Sequence, residues 1–160
     1  MKKIITSKLL YLALRVVLGG VFIYAGATKI VDVDGFAMAI DGYGLVSWRM
    51  ANLLARTLPV IEIVTGLGLI LDVRGALGMI VAQLLGFVSV LVYAISMGLD
   101  VDCGCFGPND PGAGESGGLW ETLIRDMLMI AACLFIYWQR RLAGFIPRSL
   151  LRLFPLSKTE

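Results

Sequence analysis

The sequence contains no histidine and only three cysteines, Cys103, Cys105 and Cys133. Without histidine there is no imidazole base, no histidine-ligated haem and no Cys-x-x-Cys-His attachment site, so any proton transfer falls to carboxylates, thiols, tyrosine, lysine or water. The same shortage weighs against a metal, because a closed site needs about four ligands and Cys133 falls deep in an apolar segment. Charge is also scarce. Only 16% of the residues are Asp, Glu, Lys or Arg and 58% are hydrophobic, against about 25% and 45–50% in soluble domains. With a mean hydropathy of +0.85, too little polar surface remains to cover a water-soluble core. The net charge of +2 gives nucleic acid no basic stripe to bind.

What is present in abundance is long apolar runs. Four blocks of near-membrane length extend from about Leu9 to Lys29, Leu53 to Leu71, Ala76 to Met97 and Leu119 to Trp138. About 20 residues at about 1.5 Å rise cross a hydrocarbon core of about 30 Å, and isolated strands in lipid would leave their backbone groups unpaired. The predicted fold is therefore all-α, a polytopic four-transmembrane-helix bundle over residues 1–140, with a basic tail over 141–160 that lies on the membrane surface or hangs free. Met1-Lys2-Lys3 and the following run have the outline of a signal peptide, but the run is long and Arg15 interrupts it. It reads as an uncleaved first helix.

Lys2, Lys3, Lys8, Arg74, Arg140, Arg141, Arg148, Arg152 and Lys158 fall on one side of four crossings, and the acidic loops on the other. The positive-inside rule then predicts a bacterial-type inner membrane location, both termini cytoplasmic and the 98–118 loop periplasmic or extracellular. Two small-residue stripes, Gly78/Ala82/Gly86 and Arg15/Gly19/Gly26, are expected to face the bundle centre, where close backbone approach favours helix association. Ionisable groups inside the spans are costly and seek partners or wet cavities. Glu62, three residues after Pro59, is the most exacting of these, and Arg15, Glu62, Arg125 and Asp126 are expected to form one network joining the helices or to handle protons.

The 98–118 loop combines reactive side chains with a permissive backbone: Asp102-Cys103-Gly104-Cys105-Phe106-Gly107-Pro108. On the outer side its thiols meet a compartment in which disulfides persist. A disulfide between cysteines two apart closes a small, strained ring, and strain makes it easier to reduce, which suits exchange. A plain structural clip is the alternative, although closing so short a loop removes little chain entropy. The thiolate is the reacting form, so a cation such as Arg125 or Lys29 beside the pair would activate it. Cys133 reads as an apolar filler.

Ala13-Leu14-Arg15 with Leu18-Gly19 and Phe22, Ala25-Gly26 with Lys29, Leu58-Pro59 with Glu62 and Gly66, and Cys103-Gly104-Cys105-Phe106-Gly107 with Arg125-Asp126 together resemble the methylamine-utilisation MauE family, within the DoxX-like set of four-helix membrane proteins. That resemblance implies maturation of a periplasmic, disulfide-rich dehydrogenase beside a thioredoxin-like partner, or sulfur-compound oxidation feeding quinone. The layout is also similar to quinone-coupled disulfide-forming enzymes of the vitamin K epoxide reductase type. This chain departs from them in having one Cys-x-Cys and no second loop pair.

The leading expectation is a membrane thiol–disulfide oxidoreductase in which Cys103 and Cys105 take electrons from a periplasmic thiol protein or small sulfur compound and pass them to quinone. Arg15, Lys29, Glu62, Arg125 and Asp126 form its supporting charged network. A non-enzymatic assembly subunit and a small-molecule transporter using Glu62 and the Arg15 stripe are the other two readings; the lack of an evident internal repeat weighs against the transporter. The topology is directly testable: after mild reduction, a membrane-impermeant maleimide should label Cys103 and Cys105 in intact spheroplasts. Labelling only after membrane rupture would place the pair on the cytoplasmic side.

Overall fold

The computed structural model describes residues 8–99 and 118–143, and all regular secondary structure within them is helical. The helices run α1 (Lys8–Val31), α2 (Val33–Gly42), α3 (Trp48–Ile70), α4 (Ala76–Met97) and α5 (Gly118–Ala143). Three are long and apolar enough to cross a membrane: α1, α3 and α4, with mean hydropathies of 1.9, 1.7 and 2.2. Helix α5 is the longest at 26 residues, but Glu121, Arg125 and Asp126 interrupt its first half.

The short helix α2 falls in a stretch read from the sequence as a loop. Asp32 breaks the chain after α1, and its carboxylate accepts a hydrogen bond from the Gly35 amide at 2.8 Å, starting a new helix in the manner of a side-chain N-cap. Phe36 and Ala37 pack on Ala55, with Val33, Ile40 and Leu58 around them. Helix α3 begins at Trp48, five residues before the predicted start, and continues unbroken through Pro59. Between α3 and α4 the chain turns in a few residues through Asp72 (φ 59°) and Gly75 (φ 97°), left-handed conformations that aspartate tolerates and glycine adopts freely.

Helices α1 and α3 form the tightest seam. A Cβ placed on Gly19 would lie 2.6 Å from the Gly66 carbonyl oxygen, one on Gly66 would lie 2.7 Å from the Gly19 oxygen, and one on Gly26 would lie 2.7 Å from the Pro59 oxygen. The expected Arg15/Gly19/Gly26 stripe is thus packed inward. The Gly78/Ala82/Gly86 stripe is not: all three residues are exposed, and a Cβ at Gly78 or Gly86 would meet nothing within 4 Å among the described residues. Helix α4 instead turns Leu77, Ile80 and Leu84 inward, onto Leu18, Phe22, Leu69, Cys133 and Ile136. Four-residue spacing marks a helical face, but large side chains on the adjacent face gained more by burial.

The surface confirms what solvent the bundle is built for. Val17, Val64, Leu85, Leu128 and Leu134 stand exposed, while Arg15, Lys29, Glu62, Asp126 and Gln139 are buried. A water-soluble protein rarely has this arrangement, whereas in lipid apolar side chains face outward and ionised ones inward. Gly19→Ala or Gly66→Ala should force α1 and α3 apart and cost about 1–3 kcal/mol by overpacking. Gly78→Ala and Gly86→Ala should be neutral or stabilise by up to about 1 kcal/mol through helix propensity. Unfolding in mixed detergent micelles measures both, and equal losses in the two pairs would refute the assigned seam.

Candidate functional site

The four charged side chains expected in one network separate into two clusters at opposite ends of the bundle. At the end carrying the α3–α4 turn, Arg15 reaches from α1 to Asp72, Nη1 to Oδ2 at 3.0 Å. Its Nε donates to the Leu69 carbonyl at 2.9 Å, and its Nη2 donates to the Ile70 carbonyl. A guanidinium there satisfies terminal carbonyls of α3 and complements the negative pole of its dipole. Arg140 of α5 donates to Asp72 Oδ1 at 2.8 Å and to the Tyr11 hydroxyl at 2.9 Å, and Tyr11 itself donates to Asp72 Oδ1 at 2.8 Å. One aspartate in a tight turn therefore gathers α1, α3, α4 and α5. Arg15 does not join Glu62, because Lys29 lies closer. Arg15 and Lys29 are separated on one helix by 14 residues, about 21 Å of rise.

Toward the α2 end, Lys29 Nζ lies 2.5 Å from Glu62 Oε1, and the two residues are 2% and 1% exposed. The antiparallel seam explains the meeting. The Gly19/Gly66 and Gly26/Pro59 contacts set Lys29 about 9 Å along the axis from Glu62, six residues at the helical rise. Side chains on a helix lean toward its N-terminus, so on antiparallel helices these two lean toward each other. The Lys29 ammonium also lies 5.3 Å from the Phe36 ring centroid and 5.0 Å from that of Phe87, close enough for cation–π attraction. From α5, Asp126 turns inward, with its Oδ1 3.6 Å from Arg125 Nε.

Two hollows adjoin this cluster. A cleft of about 150 Å³ is walled by Phe36, Ile40, Tyr43, Leu54, Leu58 and Phe87, among other apolar residues, with Lys29 as its one charged group among the described residues. A second, of about 20 Å³, lies among Lys29, Glu62, Arg125, Asp126, Phe22 and Met129. Lys29 lines both. Of the residues singled out in the sequence, Lys29, Glu62, Arg125 and Asp126 come together here and Arg15 does not. Cys103 and Cys105 lie outside the described residues, as do the rest of segment 100–117 and the tail from 144 onward. Cys133 is buried in the apolar core as expected.

Sequence reasoning passed over Asp72, Tyr11 and the aromatic walls of the cleft. An available signal for Asp72 was its sign: it is an acid in a turn assigned to the otherwise basic side. Phe36 and Phe87 carry no comparable mark, since an aromatic residue in an apolar helix reads as core. Removing one member of the buried pair, with Glu62→Gln or Lys29→Met, should cost about 3–5 kcal/mol because it strands the other charge in a low-dielectric interior. The double replacement Lys29→Met/Glu62→Leu should recover most of that loss. A double-mutant cycle on unfolding reads the coupling, and additive losses would show that the pair is not a unit.

No curated protein and no solved structure matches the chain. A family model does match, that of methylamine utilisation protein MauE, over residues 7–139. This stretch takes in the glycine seam, the Lys29–Glu62 cluster, Arg15 and Asp72 of the turn-end cluster, and the Cys-Gly-Cys segment, and stops one residue short of Arg140. By that match the chain belongs to the MauE family, whose members are proteins of methylamine utilisation.

Proposed function

We propose that this protein is a membrane thiol–disulfide redox protein of methylamine utilisation, with Cys103 and Cys105 as the exchanging pair and quinone as the electron acceptor. The observation that carries the reading is the apolar, aromatic-walled cleft with the Lys29 ammonium at its wall. Ligand sites are mostly apolar with a few placed polar groups, and this donor set suits a flat ring bearing a carbonyl oxygen. Lys29 would hold that oxygen, and Phe36, Tyr43 and Phe87 would flank the ring. A quinone bound there supplies an acceptor for the two electrons and two protons given up when the Cys103 and Cys105 thiols return to the disulfide.

Chain connectivity supports the same arrangement. The Cys segment leaves α4 at its C-terminal end and enters α5 at its N-terminal end, both at the α2 end of the bundle, where the cleft lies. Cys103 is four residues from Leu99, so the chain holds it within about 14 Å of that residue. In the exchange itself, a client thiolate attacks the Cys103–Cys105 disulfide to give a mixed disulfide. The client's second thiolate then displaces the loop cysteine, leaving the client oxidised and the loop with two thiols.

The membrane arrangement belongs to this proposal: α5 as a fourth crossing, both termini cytoplasmic and the cysteines periplasmic. A non-catalytic assembly role shares these features but needs no cleft. Alkylation trapping decides between them. In proteoliposomes, adding an oxidised short-chain quinone should shift the loop from dithiol to disulfide, and Phe87→Ala should slow that shift by about tenfold or more. A redox state indifferent to quinone removes the oxidoreductase reading. In cells, a Cys103→Ser/Cys105→Ser protein that still supports methylamine utilisation would favour the assembly role.

A further inference from the structure

We propose that the small hollow between Lys29, Glu62, Arg125 and Asp126 holds one water, through which Asp126 and Glu62 pass protons to Lys29 at the wall of the apolar cleft. Volume decides the occupant. About 20 Å³ exceeds the 10–15 Å³ that a single water needs and is far too small for a ring. The lining then asks for hydrogen-bond donors. Glu62 Oε1 is taken by Lys29, which leaves Oε2 buried with no partner among the described residues, and Asp126 Oδ2 is likewise buried and without one among them. Their side chains are only 2% and 3% exposed. Buried acceptors left unsatisfied are rare, and one water has two protons to give.

Among the described residues, helix α1 contributes Lys29, α3 contributes Glu62, α5 contributes Arg125 and Asp126, and α4 contributes the apolar Leu84 and Phe87. Two cations and two carboxylates thus balance without an external ion. Because Lys29 borders both hollows, a proton leaving its ammonium into the cleft can be replaced by one released in thiol oxidation, which Asp126 takes up and hands through the water to Glu62, and Glu62 to Lys29. No atom is gained or lost along this route. Its use as a proton supply rests on the quinone reading above, since reduction there takes up two protons; the water site does not.

The test has two arms. Wild-type protein in nanodiscs, exposed to X-ray radiolysis in heavy-oxygen water, should carry label on Phe22 and Met129, which line the small hollow; a dry hollow would leave them unlabelled and overturn the proposal. Asp126→Asn keeps the shape and the hydrogen bonding, so it should retain the label. It cannot take up a proton, so quinone-dependent oxidation of the loop thiols should slow at least about tenfold relative to wild type. Glu62→Gln, if it folds, should behave alike. Variants as fast as wild type would exclude the relay. Wild-type thiols indifferent to quinone would instead remove the redox reading and the relay's use with it, leaving the label to report on the water.

Discussion

A lysine ammonium and a glutamate carboxylate 2.5 Å apart, both shut away from solvent, constrain the rest of this molecule. Each charge alone would be several kcal/mol out of place in a low-dielectric interior. Together they are tolerable only while α1 and α3 keep one register and one separation. The glycine contacts at Gly19, Gly26 and Gly66 provide that separation, because any Cβ there would collide with the opposite backbone. The close seam and the ion pair therefore depend on each other.

From this pair the bundle divides into three levels. An apolar middle packs Leu18, Phe22, Leu69, Ile80, Leu84 and Ile136 around Cys133. At the turn end, Asp72 receives Arg15, Arg140 and Tyr11 with both carboxylate oxygens occupied, an arrangement suited to clamping. At the α2 end, Glu62 and Asp126 each keep an oxygen unpaired among the described residues. A saturated polar cluster holds helices; an unsaturated one beside a cleft leaves acceptors open, which is what the proposed binding and proton transfer would use. The same residue types thus serve different ends of one bundle according to whether their hydrogen bonds are complete.

Much of this was legible residue by residue. Glu62 and Asp126 were marked by their cost in an apolar segment, Lys29 by its place at the end of the first block, and Cys133 by its isolation. The misplaced features share one cause, since a helical period names a face but not its neighbour. Gly78, Ala82 and Gly86 show the same spacing as the stripe on α1, yet they face outward because Leu77, Ile80 and Leu84 gain more by packing inward. Helix α2 escaped notice because a helix of 10 residues is too short to stand out by hydropathy. Its buried face becomes apparent only when Ala55 and Leu58 lie opposite.

The sequence by itself determined an all-helical chain with lipid-like apolar helices, the position of α4, the need of its buried charges for partners, and the place of a Cys-Gly-Cys pair between two apolar blocks. These are local consequences of hydropathy, helix length and side-chain chemistry, and they need no knowledge of neighbours. Which charge meets which was decided only in three dimensions: Arg15 with Asp72 and Lys29 with Glu62, because pairing depends on the antiparallel register set by glycine contacts far apart in the chain. The cleft and the water-sized hollow arise in the same way, as space left where side chains from four helices fail to fill a common volume.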